Sequence, residues 1–190
     1  MKECNCLGHK LSLKALLFCF GLIMCKDVFS AAPDEYTLKL VYLYNFTKFI
    51  NWPPPEQGEL EEPYKICIMG SIPASNAHKQ LEQKRSKNRL ITTSRRNVDH
   101  NADDCHILFI TKNISRSDVS RVLASPLKNT VTVGETNAFA KQAGDIGFVI
   151  DDNNRVTIEI NLSNTKNKNV NIRAPLLEIA RKVYRAEEQE

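Results

Sequence analysis

Residues able to do chemistry are few in this chain of 190, and they are scattered. Nucleophilic catalysis needs a serine or cysteine held beside a base, and no G-x-S-x-G turn occurs. Metal chemistry needs clustered ligands. Beyond the first thirty residues the histidines are His78, His100 and His106, with no H-E-x-x-H or C-x-x-C among them. Cys105-His106 could join Cys67 at a metal, but neighbours on a strand point to opposite faces, which favours a Cys67–Cys105 bond. Gly134, Gly144 and Gly147 form no phosphate loop. Asp103-Asp104 and Asp151-Asp152 are acid pairs in predicted loops, where turn and cap duties suit them. No catalytic residue, metal or cofactor is expected. Binding is the class of function left.

Compartment decides what the cysteines can do. Lys2, Lys10 and Lys14 precede the apolar run Ala15 to Met24, and Ser30, Ala31 and Ala32 supply small residues after it. A run this short suits a signal peptide over residues 1–30, because a membrane-spanning helix needs roughly 20 apolar residues. A lipoprotein signal ending at Cys25 is the weaker alternative, since Met24 is bulky. Cys4, Cys6, Cys19 and Cys25 fall in that segment, leaving Cys67 and Cys105. In an oxidising compartment a disulfide between them is the natural expectation, although two buried thiols would give the same sequence. The segment also holds four lysines and two acids, so 22 basic and 20 acidic residues remain over 31–190. Such balance argues against nucleic acid as a partner. The basic runs Lys84 to Arg89 and Arg95-Arg96 read as solvated loop.

The elements that must position a binding surface follow from periodicity. Asp34 is a candidate N-cap for a helix from Tyr36 to about Asn51, stopped by Trp52-Pro53-Pro54-Pro55. Leu38, Val41, Tyr42, Leu43, Phe46, Phe49 and Ile50 fall in one arc, with Leu40 and Tyr44 on the otherwise polar side. Strands are expected at Tyr64–Gly70, Arg89–Thr93, Cys105–Ile110 and Thr130–Gly134, with helices at Ala74–Lys84 and Asp118–Ala124. This alternation predicts an α/β fold with a mainly parallel sheet. Ile146–Ile150 and Val156–Ile160 flank Asp151-Asp152-Asn153-Asn154 as an antiparallel hairpin, and a last helix starts at Ala174. Residues 31–190 make one domain, without repeat or linker.

Several segments in order resemble the YfiR family of small periplasmic proteins. They are Tyr42-Leu43-Tyr44-Asn45-Phe46-Thr47-Lys48-Phe49 with Trp52-Pro53, Ile66 to Gly70, Cys105 to Ile110, Thr132-Val133, Phe139-Ala140, Gly144 to Val149, Glu159 to Leu162 and Leu176 to Ala180. The resemblance implies a three-layer α/β/α sandwich that forms homodimers. It also implies a repressor that binds the periplasmic sensor region of an inner-membrane diguanylate cyclase, lowering cyclic di-GMP, and that an OmpA-like outer-membrane lipoprotein can sequester. Cys67 and Cys105 match a family disulfide; a second family pair has no counterpart around Gly144 to Asp152.

For partner binding, the open face of the last hairpin is the expected surface, with Phe148, Glu159 and Asn161, and with Arg173 placed to complement Glu159. An ordinary surface pair, worth under about 1 kcal/mol, would explain Glu159 and Arg173 equally well. Leu40 and Tyr44 are the candidates for a dimer surface. A ligand-binding sensor subunit reporting to a histidine kinase is the rival function, and an exported hydrolase the third.

Overall fold

The computed structural model describes residues 34–54, 62–73 and 78–185. The expected signal peptide and Cys25 lie outside them, as do residues 74–77 of the helix expected from Ala74.

Helix α1 (Glu35–Phe49) begins where Asp34 accepts hydrogen bonds from the backbone N–H groups of Tyr36 and Thr37 at 2.9 and 3.0 Å. Glu35 in its first turn and Lys48 in its last complement the helix dipole. The chain turns extended at β1 (Ile50–Asn51), ahead of Pro53. Then come β2 (Tyr64–Met69), α2 (Lys79–Glu82), β3 (Arg85–Ser86), β4 (Arg89–Arg96) and β5 (Ile107–Ile110). Next are α3 (Arg116–Leu123), capped by Ser115, then β6 (Val131–Gly134), α4 (Phe139–Gln142), β7 (Ile146–Ile150) and β8 (Val156–Asn161). Last come α5 (Leu162–Lys166), β9 (Asn171–Ile172), α6 (Ala174–Glu178) and β10 (Lys182–Tyr184).

Eight strands form one sheet in the order β10-β8-β7-β6-β5-β2-β4-β3. Every neighbouring pair is parallel except the hairpins β3–β4 and β7–β8. Alternation along the central strands sends side chains into two cores. Ile66 and Ile68 of β2, with Ile107 and Phe109 of β5, pack beneath Leu40, Leu43 and Phe46 of α1. Cys67, Met69, Leu108 and Ile110 point the other way, against Val119 and Val122 of α3. With both faces covered, the strands carry near-continuous apolar runs, which is why they were legible as strands. The expected α/β fold is present, as a mostly parallel sheet between helical layers. On the α3 side Phe139 is seated between two glycines. A Cβ added at Gly134 or Gly144 would come within 2.3 or 2.0 Å of its ring.

Three local expectations are corrected. The basic run from Lys84 is no loop: Lys87 and Asn88 both take positive φ, 48° and 66°, and close the two-residue hairpin between β3 and β4. That second strand runs on to Arg96 instead of stopping at Thr93. The last helix ends at Glu178, and Lys182–Tyr184 becomes a strand parallel to β8. Helix α5 and the ribbon β1–β9, which pairs Ile50 with Ile172, were not foreseen.

Candidate partner-binding surface

The hairpin face expected to bind is largely occupied by the protein itself. Phe148 stands opposite Ile158 and is 5 % exposed, its ring lying 5.8, 6.1 and 5.8 Å from those of Tyr42, Phe46 and Phe109. Cross-strand partners share a face, so Phe148 belongs to the core with Ile158. Asn161 is buried too. Its Oδ1 accepts from the Asn164 backbone N–H at 3.2 Å, capping α5, and its Nδ2 donates to the Ala140 carbonyl at 2.8 Å. Glu159 is half-buried and accepts from the Tyr184 hydroxyl at 2.9 Å, because β10 lies along the outer edge of β8. Arg173 is exposed at the start of α6, where its charge acts on Lys87. Leu40 is buried within the chain and presents nothing to a second copy. Tyr44 is partly exposed, and its hydroxyl donates to the Arg85 carbonyl at 3.1 Å.

What the fold does bring together lies at the N-terminal ends of the parallel strands. Trp52, just past α1, sits 5.4 Å from the Tyr64 ring and 5.5 Å from His106, and its indole N–H donates to the Asn129 carbonyl at 2.9 Å. The Arg89 guanidinium lies 4.1 Å over the Tyr64 ring, a cation–π contact. Lys87 donates to the Ile50 carbonyl at 2.9 Å and to Asn51 at 2.7 Å, fixing the β3–β4 turn against the end of α1. Partial burial, then the charges of Arg173 and Arg89, hold its ammonium below the usual lysine pKa. Trp52, Lys87, Arg89 and Arg173 together form an aromatic surface with a cationic rim. The sequence reads Trp52 as part of a helix stop, Lys87 and Arg89 as part of a basic run, and Arg173 as a complement to Glu159; no signal along the chain joins the four.

His106 is the titratable group in this cluster. Its Nδ1 lies 3.2 Å from the Lys65 backbone N–H and its Nε2 3.1 Å from an Arg89 guanidinium nitrogen. Both neighbours are donors; the neutral ring can accept from one of them, and protonation would remove that acceptor. Burial first, then the charges of Arg89 and Lys65, push its pKa down from 6.5 to about 4. A pKa lower in the folded than in the unfolded chain means the unfolded chain binds the proton first. Stability is therefore full above pH 6.5 and falls as pH drops toward about 4. Allowing for the ring's partial exposure, the loss is about 2–3 kcal/mol. His106→Gln removes the titration, so its stability–pH curve between those limits will be flatter than the parent's. Parallel curves in urea melts at stepped pH would refute this.

Two buried ion networks brace the domain. Glu135, just past β6, accepts from Lys39 Nζ, from the Lys112 backbone N–H at 2.9 Å and from the Tyr36 hydroxyl at 3.3 Å. The side chains of Lys39 and Glu135 are 3 % and 2 % exposed. Burial and the Glu135 charge raise the Tyr36 pKa to about 12, so the phenol stays a donor. Asp145 is fully buried, and its Oδ2 accepts from the Thr132 N–H and hydroxyl at 2.7 and 2.8 Å and from Lys168. Glu135 meets donors at both oxygens, whereas Asp145 does so at Oδ2 alone and its buried Oδ1 has no partner; fixed donors of this kind hold elements in place. Cys67 and Cys105 form the expected disulfide, Cα atoms 5.9 Å apart, in the core beneath α3. Among the described residues no group of three or more His, Cys, Asp or Glu is placed to hold a metal ion. No described helix is long and apolar enough to cross a membrane.

Fold and site together define a small α/β domain, cross-linked beneath one helical layer and carrying an aromatic–cationic surface. The YfiR/HmsC-like family model matches residues 36–181, and the chain belongs to that family, a regulatory one. Comparison with curated proteins returns no match.

Proposed function

We propose that this chain is a periplasmic regulator that binds the periplasmic sensor region of an inner-membrane diguanylate cyclase and represses it, lowering cyclic di-GMP. The observation that carries this reading is the family match over 36–181, nearly all of the described domain. The buried Cys67–Cys105 bond supports it, because such bonds persist in oxidising compartments. Trp52, Arg89 and Arg173 are of the residue types that dominate interface energetics, and the cationic rim suits an acidic partner surface. A homodimer, with Tyr44 at its surface in place of Leu40, and an OmpA-like outer-membrane lipoprotein as second partner complete the proposal. A pull-down with the mature domain from detergent-solubilised membranes, in oxidising buffer, is expected to recover a cyclase; recovery of no membrane signalling protein would sink the reading.

One observation favours a second reading, a sensor of small ligands reporting to a histidine kinase. A cleft of about 390 Å3 opens beside Leu127, Lys128, Thr132, Asn164 and Lys168. A ligand filling it would raise the melting temperature with its concentration.

A further inference from the structure

Strand β4 has more backbone than its partners use. It is eight residues long, and β2 pairs with Ile91 to Arg96 along one side. On the other side β3 reaches only Arg89 and Leu90. The Ile91 N–H donates outward, to the Lys84 carbonyl at 3.1 Å. Backbone groups alternate along a strand, so those of Thr92, Ser94 and Arg96 face β2, and those of Thr93 and Arg95 face away from the sheet. No described strand pairs with that outer side. Two residues thus present two N–H donors and two carbonyl acceptors at strand spacing.

The surroundings of this edge are strongly one-sided in charge. Between residues 79 and 96 stand Lys79, Lys84, Arg85, Lys87, Arg89, Arg95 and Arg96 against the single acid Glu82. Arg96 is paired with Asp104 and Glu82 accepts from the Thr93 hydroxyl, whereas Arg95 is exposed. Cations on an edge strand commonly serve to discourage pairing. That protection acts against copies of the same basic strand, since two such edges repel. Toward an acidic strand the same charges attract.

We propose that the outer edge of β4 receives an extended, acidic segment of a partner protein as an added strand, hydrogen-bonded to Thr93 and Arg95 and with an acidic side chain against Arg95. This rests on the reading of the chain as a protein-binding regulator and names how the partner is held. It adjoins the aromatic surface, since Arg89 begins β4.

A short peptide alternating valine with glutamate, titrated against the mature domain, provides the probe. Binding is expected, with slowed hydrogen exchange at the Thr93 and Arg95 amides. The same peptide N-methylated on alternate residues should not bind. Thr93→Pro removes an outward N–H together with the hydroxyl that bonds Glu82 and should weaken binding by about tenfold or more, whereas Thr93→Val, which loses the hydroxyl alone, should bind as the parent does. Arg95→Glu leaves the ladder to β2 intact and should weaken binding comparably, with a shallower salt dependence. Equal binding of the methylated peptide, an unaltered Thr93→Pro variant with a wild-type melting curve, or no binding at all overturns strand addition. So does binding of anionic vesicles in the peptide's place. If the pull-down recovers a cyclase and the Arg95→Glu domain recovers it equally well, this inference fails while the proposed function stands.

Discussion

Replacing Lys39 by methionine is expected to destabilise the domain by about 3–5 kcal/mol, the usual cost of leaving one member of a buried pair alone. Lys39 and Glu135 are almost wholly enclosed, and Lys39 also bridges to Glu35 one turn earlier. Methionine keeps the length of the side chain, so packing around Tyr36 and Phe148, whose rings lie 4.8 and 5.8 Å from Nζ, changes little. The loss then falls on Glu135, which retains the Lys112 N–H and the Tyr36 hydroxyl but has no cation. Adding Glu135→Leu removes the stranded carboxylate, and the double variant should be more stable than Lys39→Met alone. Chemical denaturation of the four proteins of the cycle reads this directly. A Lys39→Met domain within about 1 kcal/mol of the parent would show that water reaches Glu135 and that the pair is no clamp.

The second large effect belongs to the disulfide. Cys67 and Cys105 are separated by 38 residues, and opening that loop in the unfolded chain costs the fold about 4 kcal/mol. For a domain of this size the melting temperature should drop by about 10 °C in the double alanine variant. Reductant should lower the parent's melting temperature similarly and leave the variant's unchanged. Melting curves that coincide for parent and variant, with and without reductant, would mean that the bond contributes nothing. The bridge is packed against Met69, Leu108 and Val119, and the expected loss on opening it is mainly one of unfolded-state restraint.

The strands were legible where both faces are buried. In β5, Ile107 to Ile110 are all buried, and a continuous apolar run carries its own signal. Asp34 was legible as a cap because a cap is a local hydrogen bond. Phe148 was placed on the wrong face because its register with Ile158 depends on the turn at Asn154, which takes φ 58°. Asn161 was assigned to an open face because nothing in its own strand announces that α5 begins at once and uses it as a cap. In α1 the apolar residues spread round most of the helix, so no angle separates core from surface. Leu40 and Lys39 are both buried, whereas Val41 is 47 % exposed. Lys39 could not be recognised from sequence, since its partner Glu135 lies 96 positions away. The same holds for the surface at Trp52, whose neighbours Tyr64, Arg89 and His106 come from three strands or strand ends.

The ribbon that pairs Ile50 with Ile172 bears on how the chain can be made. Of the described elements helix α1 leaves the ribosome first, yet part of what it docks against comes late: Glu135, Phe148 and Val156, then Ile172 and Leu176. Contacts closed over such separations form slowly, because the intervening chain must be drawn together before they repay its lost freedom. A nascent chain that stops short of residue 171 lacks the strand that pairs with Ile50 at the C-terminal end of its first helix. That seam therefore closes only when nearly all of the domain has been synthesised.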